Sequence, residues 1–198
     1  MNLEGSKFNP EPPFLESKEP VKPEKEIIWE KKMAEVSKIT DRLGKRVDDG
    51  IKETVCAFLV HGFTTSASCE GHIAKEGEKQ SGLPYPWVEV YSPEPEGLEE
   101  AEGEEKERLE REWKIKNLEQ QKKMMSLLEE FYQNRETPFD ARLVFDGIGG
   151  FGGFRVQSFG AEIMSVLSTT EEKKQKLALY QKEMKDFTEF LKNKFFSE

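Results

Sequence analysis

Residues 104–134 impose the strongest constraint on the fold of this chain. The stretch holds neither glycine nor proline, and Leu109, Trp113, Met124, Leu127, Leu128 and Phe131 recur at helical spacing on one face. That face widens toward its C-terminal end to take in Met125 and Tyr132. A long charged helix is therefore expected, its wide end packed on a sheet and its narrow end projecting into solvent. A second stripe, Leu177, Tyr180, Met184, Phe187, Leu191 and Phe195, predicts a terminal helix. Ser168 or Thr169, with Glu171 or Glu172 three positions later, forms a capping box that opens it.

The remaining elements are shorter. Trp29, Met33, Val36, Leu43 and Val47 predict a helix from about residue 26, punctuated by Gly44 and by the DDG at 48–50. A second helix comes next, with Asp49 as candidate N-cap, Ile51, Val55, Phe58 and Leu59 on its apolar side, and Gly62 as terminator. FTTSASC reads as a short strand, and YPWVEVY (85–91) alternates like a strand with two different faces. ARLVF (141–145) and FRVQSF (154–159) read as two strands around a glycine-rich turn. Strict alternation of strand and helix is absent. The expectation is an α+β two-layer sandwich, a small and mainly antiparallel sheet with helices packed on one face.

Five of the ten prolines lie within residues 10–23, so residues 1–25 are expected to be a disordered arm rich in Pro, Glu and Lys. Residues 26–198 then form one α+β domain, interrupted by an acidic linker at about 92–106. The formal charge of −9 argues against nonspecific attraction to nucleic-acid backbones, which requires a basic stripe. No apolar run reaches the ~18 residues of a membrane span. The opening MNLEGSKFNPEPP lacks the basic and apolar regions of a secretory signal, and two cysteines do not make a disulfide framework. A reduced, cytoplasmic location is the expectation.

GIGGFG at 147–152 matches G-x-G-x-x-G letter for letter, yet the adjoining segment, GFRVQSF, reads as a strand and not as the helix a dinucleotide site needs. The motif is read as a mobile hairpin with glycines at positive φ. Arg155 and Gln157, two residues apart on one strand face, would extend any pocket that the hairpin closes, and Asp146 stands on the neighbouring strand.

Cys56, His61, Cys69 and His72 fall within 17 consecutive positions, which raises the question of zinc. Cys56 and His61 lie on one helix five positions apart, about 140° around its axis, a poor chelating spacing. No metal site is expected from this set. The SCEGH turn is different, because Gly71 permits a reversal that brings His72 back toward the Cys69 sulfur. Cys69 as thiolate, His72 as its base and Glu70 or Ser68 nearby to orient the ring form the candidate catalytic set, with Ser66, Ser68, Gly71 and Trp87 lining a binding site.

VDDGIKETVCAFLVHGFTTSASCEGHI (47–73) resembles the amino-terminal signature of the tRNA wybutosine-synthesis methyltransferase family, the third enzyme of that pathway. Members carry an acidic residue before an amphipathic helix and then a T-T-S-S-C-S-G-R-I type strand and turn. Thr64, Thr65, Ser66, Ser68, Cys69, Gly71 and Ile73 match in kind, while His72 stands at the family's arginine and Glu70 at its serine. PWVEV stands where the family places its next strand. The same T-x-x-S-C-E-G-H turn followed by P-W-V is also similar to small bacterial and phage proteins of unassigned activity. The resemblance covers roughly residues 47–91 and implies that Ser68, Cys69 and Gly71 line a pocket.

Three readings stay open. The first is a small-molecule or nucleotide pocket at the SCEGH turn, with Trp87, Asp146, Arg155 and Gln157 converging on it. The second is an RNA-modifying enzyme that uses S-adenosylmethionine, as the resemblance implies. The third is a non-catalytic protein whose long helices bind a protein partner. Neither a cofactor nor a reaction is specified by the residues alone.

Overall fold

The computed structural model describes residues 23–40, 44–74, 77, 79, 82–167 and 169–198. Among the described residues, four α-helices and four strands run in the order α1 (Glu24–Val36), α2 (Lys52–Val60), β1 (Thr65–Cys69), β2 (Trp87–Val90), α3 (Gly103–Tyr132), β3 (Leu143–Ile148), β4 (Gly153–Ser158) and α4 (Thr170–Ser197). The strands form one antiparallel sheet in the order β1-β2-β4-β3. This is the α+β architecture expected from the pattern of stripes and alternations. Among the described residues, no helix is long and apolar enough to cross a membrane.

Alternation decides which side of the sheet is buried. Val88 and Val90 are fully buried and pair with Val156 and Phe154, while Trp87 and Glu89 point to the other face beside Gln157 and Arg155. On the valine face the main core gathers Phe58 of α2, Met124 and Leu128 of α3, and Met184, Phe187 and Leu191 of α4. Around Trp87, on the opposite face, a smaller cluster joins Tyr85, Ala141, Ala161, Met164 and Tyr180.

Local chemistry explains the boundaries. Thr169 accepts from the Glu172 amide at 3.1 Å while the Glu172 carboxylate accepts from the Thr169 amide at 3.0 Å, so the capping box opens α4. The alternative cap, Ser168, lies outside the described residues. Gly62 takes φ +78° after α2, and the Phe63 amide reaches back to the Phe58 carbonyl at 3.0 Å, a left-handed stop with the two rings in contact.

Two expectations about the first two helices are corrected. The first helix ends at Val36 and does not run on through Val47. Ser37 Oγ bonds the Met33 carbonyl at 2.8 Å, and Ile39 and Thr40 are β-branched; Thr40 then bridges to Arg46 in an extended arrangement. Leu43 lies outside the described residues, as does the expected arm up to residue 22. Asp49 does not cap α2: residue 51 holds the N-cap position without a side-chain bond, and Asp49 pairs with Lys52 instead.

The narrow end of α3 does not project freely. Leu109 and Trp113 pack with Leu98 of the acidic linker, and Trp113 stacks between Tyr91 and Phe151 with centroid distances of 5.1 and 4.3 Å. Between this cluster and Met124 the apolar stripe is broken by Asn117, which is fully buried. Its side chain accepts from the Ser92 amide at 2.7 Å and donates to the Phe151 carbonyl at 2.9 Å. Gln120 and Gln121 add bonds to Thr64 and Gly152. The glycine-rich hairpin thus bonds to α3 at its tip, with Gly149 and Gly152 at positive φ as expected.

Candidate functional site

The end of β1 places Cys69 opposite Trp87, which in turn pairs with Gln157 of β4. Cross-strand partners share a face, so Cys69, Trp87, Gln157 and the next row, Glu89, Arg155 and Asp146, all project from the side opposite the main core. Beyond Cys69 the chain reverses at Gly71, whose φ is +87°. The His72 amide then donates to the Leu83 carbonyl at 3.0 Å and holds the reversed segment in place.

A second segment closes on this turn. Asp48, just before α2, accepts from the Glu70 amide at 3.2 Å and sits 3.1 Å from His72 Nε2. In return the Glu70 carboxylate accepts from the Gly50 amide at 2.7 Å, and the Glu70 carbonyl accepts from Gln181 of α4 at 3.0 Å. The turns at 48–50 and 69–72 thus clasp each other through two reciprocal bonds. One oxygen of Asp48, the sulfur of Cys69 and a ring nitrogen of His72 all lie within 4.8 Å of one another.

The side chains around the turn are arranged differently from the sequence expectation. Glu70 does not orient His72; its carboxylate is turned to the backbone of Gly50, and Asp48 occupies the orienting position. Cys69 is buried, and burial pushes its thiol above the usual cysteine range, with the Asp48 carboxylate adding to the effect. A raised thiol is a poor nucleophile at neutral pH, since the thiolate carries the reactivity. The Gly71 amide donates to Sγ at 3.4 Å.

A cavity of about 390 Å³ opens beside these groups, floored by β1 and walled by the segment that carries Lys45, Arg46 and Asp48. Ser66, Ser68, Cys69, His72 and Trp87 line it, so five of the residues singled out in the sequence meet at one surface. Gly71 and Glu70 shape the turn without lining the cavity. Arg155, Gln157 and Asp146 share the sheet face but lie outside its lining. The Arg155 guanidinium stacks over the Trp87 ring at 4.3 Å and donates to Glu89 at 3.3 Å, while Ser66 donates to the other Glu89 oxygen at 2.9 Å. Trp87 Nε1, Arg155 Nε and Gln157 Oε1 are buried polar atoms with no hydrogen-bond partner among the described residues.

The other two members of the Cys and His group are remote from this site in role. Cys56 is fully buried in the main core against the Trp29 carbonyl, and His61 bonds the Leu191 carbonyl of α4 at 2.8 Å. Residues missed from the sequence are Asp48, Lys45, Arg46 and Glu89. Asp48 had one signal, its place as an acidic residue just ahead of α2. No family model, curated protein or solved structure matches this chain.

Proposed function

We propose that this protein binds a small anionic ligand, of the size and chemistry of a nucleotide, in the cavity between β1 and the segment ending at Asp48. The observation that carries this reading is the lining itself. A flat aromatic wall (Trp87), two cations (Lys45 and Arg46), two serine hydroxyls and the Asp48–His72 pair meet in about 390 Å³. That volume suits a drug-sized molecule, and such sites combine an apolar wall with a few convergent polar groups. Arg46 offers the forked donor geometry that suits phosphate or carboxylate.

The test is calorimetric titration of the full chain with adenosine monophosphate in the presence of a metal chelator. Saturable binding is expected, weakened ~10- to 100-fold in Arg46→Ala because a charge-assisted hydrogen bond contributes roughly 1.5–3 kcal/mol. Absence of heat at millimolar nucleotide would overturn the reading.

A second reading, protein association through the long helix, has its own observation. Trp113 is buried, but Ile115, Leu118 and Met125 leave an exposed apolar stripe on α3. Glu119 and Lys122 flank it, opposite charges that an antiparallel second copy would pair. Oligomeric state in solution is the measurement.

A further inference from the structure

Three side chains that line the cavity carry donor atoms that a metal ion would use: a carboxylate oxygen, a thiol sulfur and an imidazole nitrogen, all within 4.8 Å of one another. In a tetrahedral zinc site, bonds of roughly 2.0–2.3 Å place ligand atoms about 3.3–3.8 Å apart. The Asp48–His72 separation of 3.1 Å is slightly shorter than that spacing and opens a little, while the sulfur, within 4.8 Å of both, closes in by at most about 1 Å. We propose that Asp48, Cys69 and His72 form a binding site for one divalent cation of the zinc class, with its fourth position open to the cavity.

The donor chemistry selects the cation. A mixed oxygen, nitrogen and sulfur set excludes calcium and magnesium, which take oxygen ligands, and matches the borderline-soft zinc and cobalt ions. One thiolate and one carboxylate balance a dication, and the imidazole binds neutral. As the cation arrives, the Cys69 S–H bond breaks, its proton leaves to solvent, and a sulfur–metal bond forms. The Asp48–His72 hydrogen bond gives way to two coordinate bonds.

The surroundings fix each ligand from behind. Asp48 is held by the Glu70 amide, and the Cys69 sulfur accepts from the Gly71 amide. The Leu83 carbonyl anchors the His72 amide. Cys69 and His72 stand three apart across a glycine turn, the short chelating spacing common in zinc sites, while Asp48 comes from a distant segment. Gly82 completes the cradle: at φ +81°, a Cβ there would lie 3.3 Å from the His72 ring and 3.4 Å from the sulfur. Asp48 and His72 are partly exposed, which leaves a path for entry.

The inference rests on the ligand reading only for the role of the open fourth position, and the two are tested apart. Tag-free full-length protein, stripped by chelator, is titrated with cobalt(II) and followed by absorption, then back-titrated with zinc. One equivalent is expected, with a thiolate-to-cobalt charge-transfer band in the near ultraviolet that zinc abolishes. Cys69→Ser should lose the band. Asp48→Asn and His72→Ala should each weaken binding at least ~100-fold, since loss of the groups that merely support a ligand costs 10- to 100-fold. Cys56→Ala, folded by circular dichroism, should keep the band. Absence of the band in the wild type, which needs no variant to be interpreted, overturns the site; so does an unchanged titration in Asp48→Asn and His72→Ala. A cobalt band without nucleotide heat sinks the ligand reading alone, and nucleotide heat without a cobalt band sinks this one alone.

Discussion

Gly71→Ala separates two reasons for a glycine at the turn. The residue sits at φ +87°, where a side chain costs about 1–2 kcal/mol. A Cβ there would also stand 2.6 Å from Leu177 Cδ1, 2.7 Å from the Tyr85 carbonyl carbon and 3.0 Å from Pro86 N. The leucine tip can swing aside, but the backbone at 85–86 leads directly into β2 and must shift as a unit. Overpacking of that kind adds about 1–3 kcal/mol, giving a total near 2–5 kcal/mol. Gly44 and Gly97 are the controls: both have positive φ, +76° and +81°, and an added methyl at either would meet nothing within 4 Å among the described residues. Their alanine variants should lose only the backbone cost, about 1–2 kcal/mol. The stiffening of the unfolded chain is common to all three and cancels in the comparison. Urea unfolding with a shared slope gives each difference, and the cobalt band reports whether Cys69 and His72 remain aligned. If Gly71→Ala falls within about 0.5 kcal/mol of the controls, the argument that this turn is sterically locked against β2 is wrong.

Two further outcomes are expected. Lys176, hydrogen-bonded to Asp140, holds that carboxyl below its usual range against the opposing cost of burial, and Tyr180 contributes a second bond. A depressed folded value means that the unfolded state binds more protons in this window. The stabilisation is therefore full above the ordinary carboxylate value near pH 4 and lost as pH falls through the folded one. Asp140→Asn should show a shallower loss of stability in urea titrations between about pH 5 and 3, and an unchanged slope would refute the assignment. On the α3 stripe, Leu118 is 62% exposed, and Leu118→Glu should shift any dimer toward monomer at least ~10-fold in light scattering, as a charge placed in an apolar contact must. A wild-type protein that stays monomeric at high concentration disposes of the association reading.

Much of the fold was legible because it is periodic. The stripes of α3 and α4, the alternation of β2 and the capping box at Thr169 each repeat a local rule, and the structure obeys it. What escaped was aperiodic. Asn117 looks like a gap in a stripe, yet it is a buried polar joint whose partners, Ser92 and Phe151, are distant in sequence. The segment after Val36 carries apolar residues at helical spacing, but spacing alone does not reveal that Ser37 bonds backward and that residue 40 pairs in an extended bridge. At the site, Gly71 predicted the reversal, and the structure places the sulfur and imidazole at one surface. Asp48 was hidden because a carboxylate in a polar loop announces no partner; only the fold brings it against His72. Glu70 misled for the complementary reason: adjacency in sequence sent its side chain to another turn.

The aromatic stack of Tyr91, Trp113 and Phe151 has a mechanical consequence. It lies at the end of the sheet where β2 finishes and the β3–β4 hairpin turns, whereas the Cys69 turn lies at the other end. The polar belt of Asn117, Gln120 and Gln121 separates this stack from the main core along a single helix. The first half of α3 thus acts as a latch with its own opening free energy, set by a handful of rings and amide bonds and not by the whole fold. Amide hydrogen exchange is expected to show this half of α3 opening before the far corner that holds Asp48, Cys69 and His72.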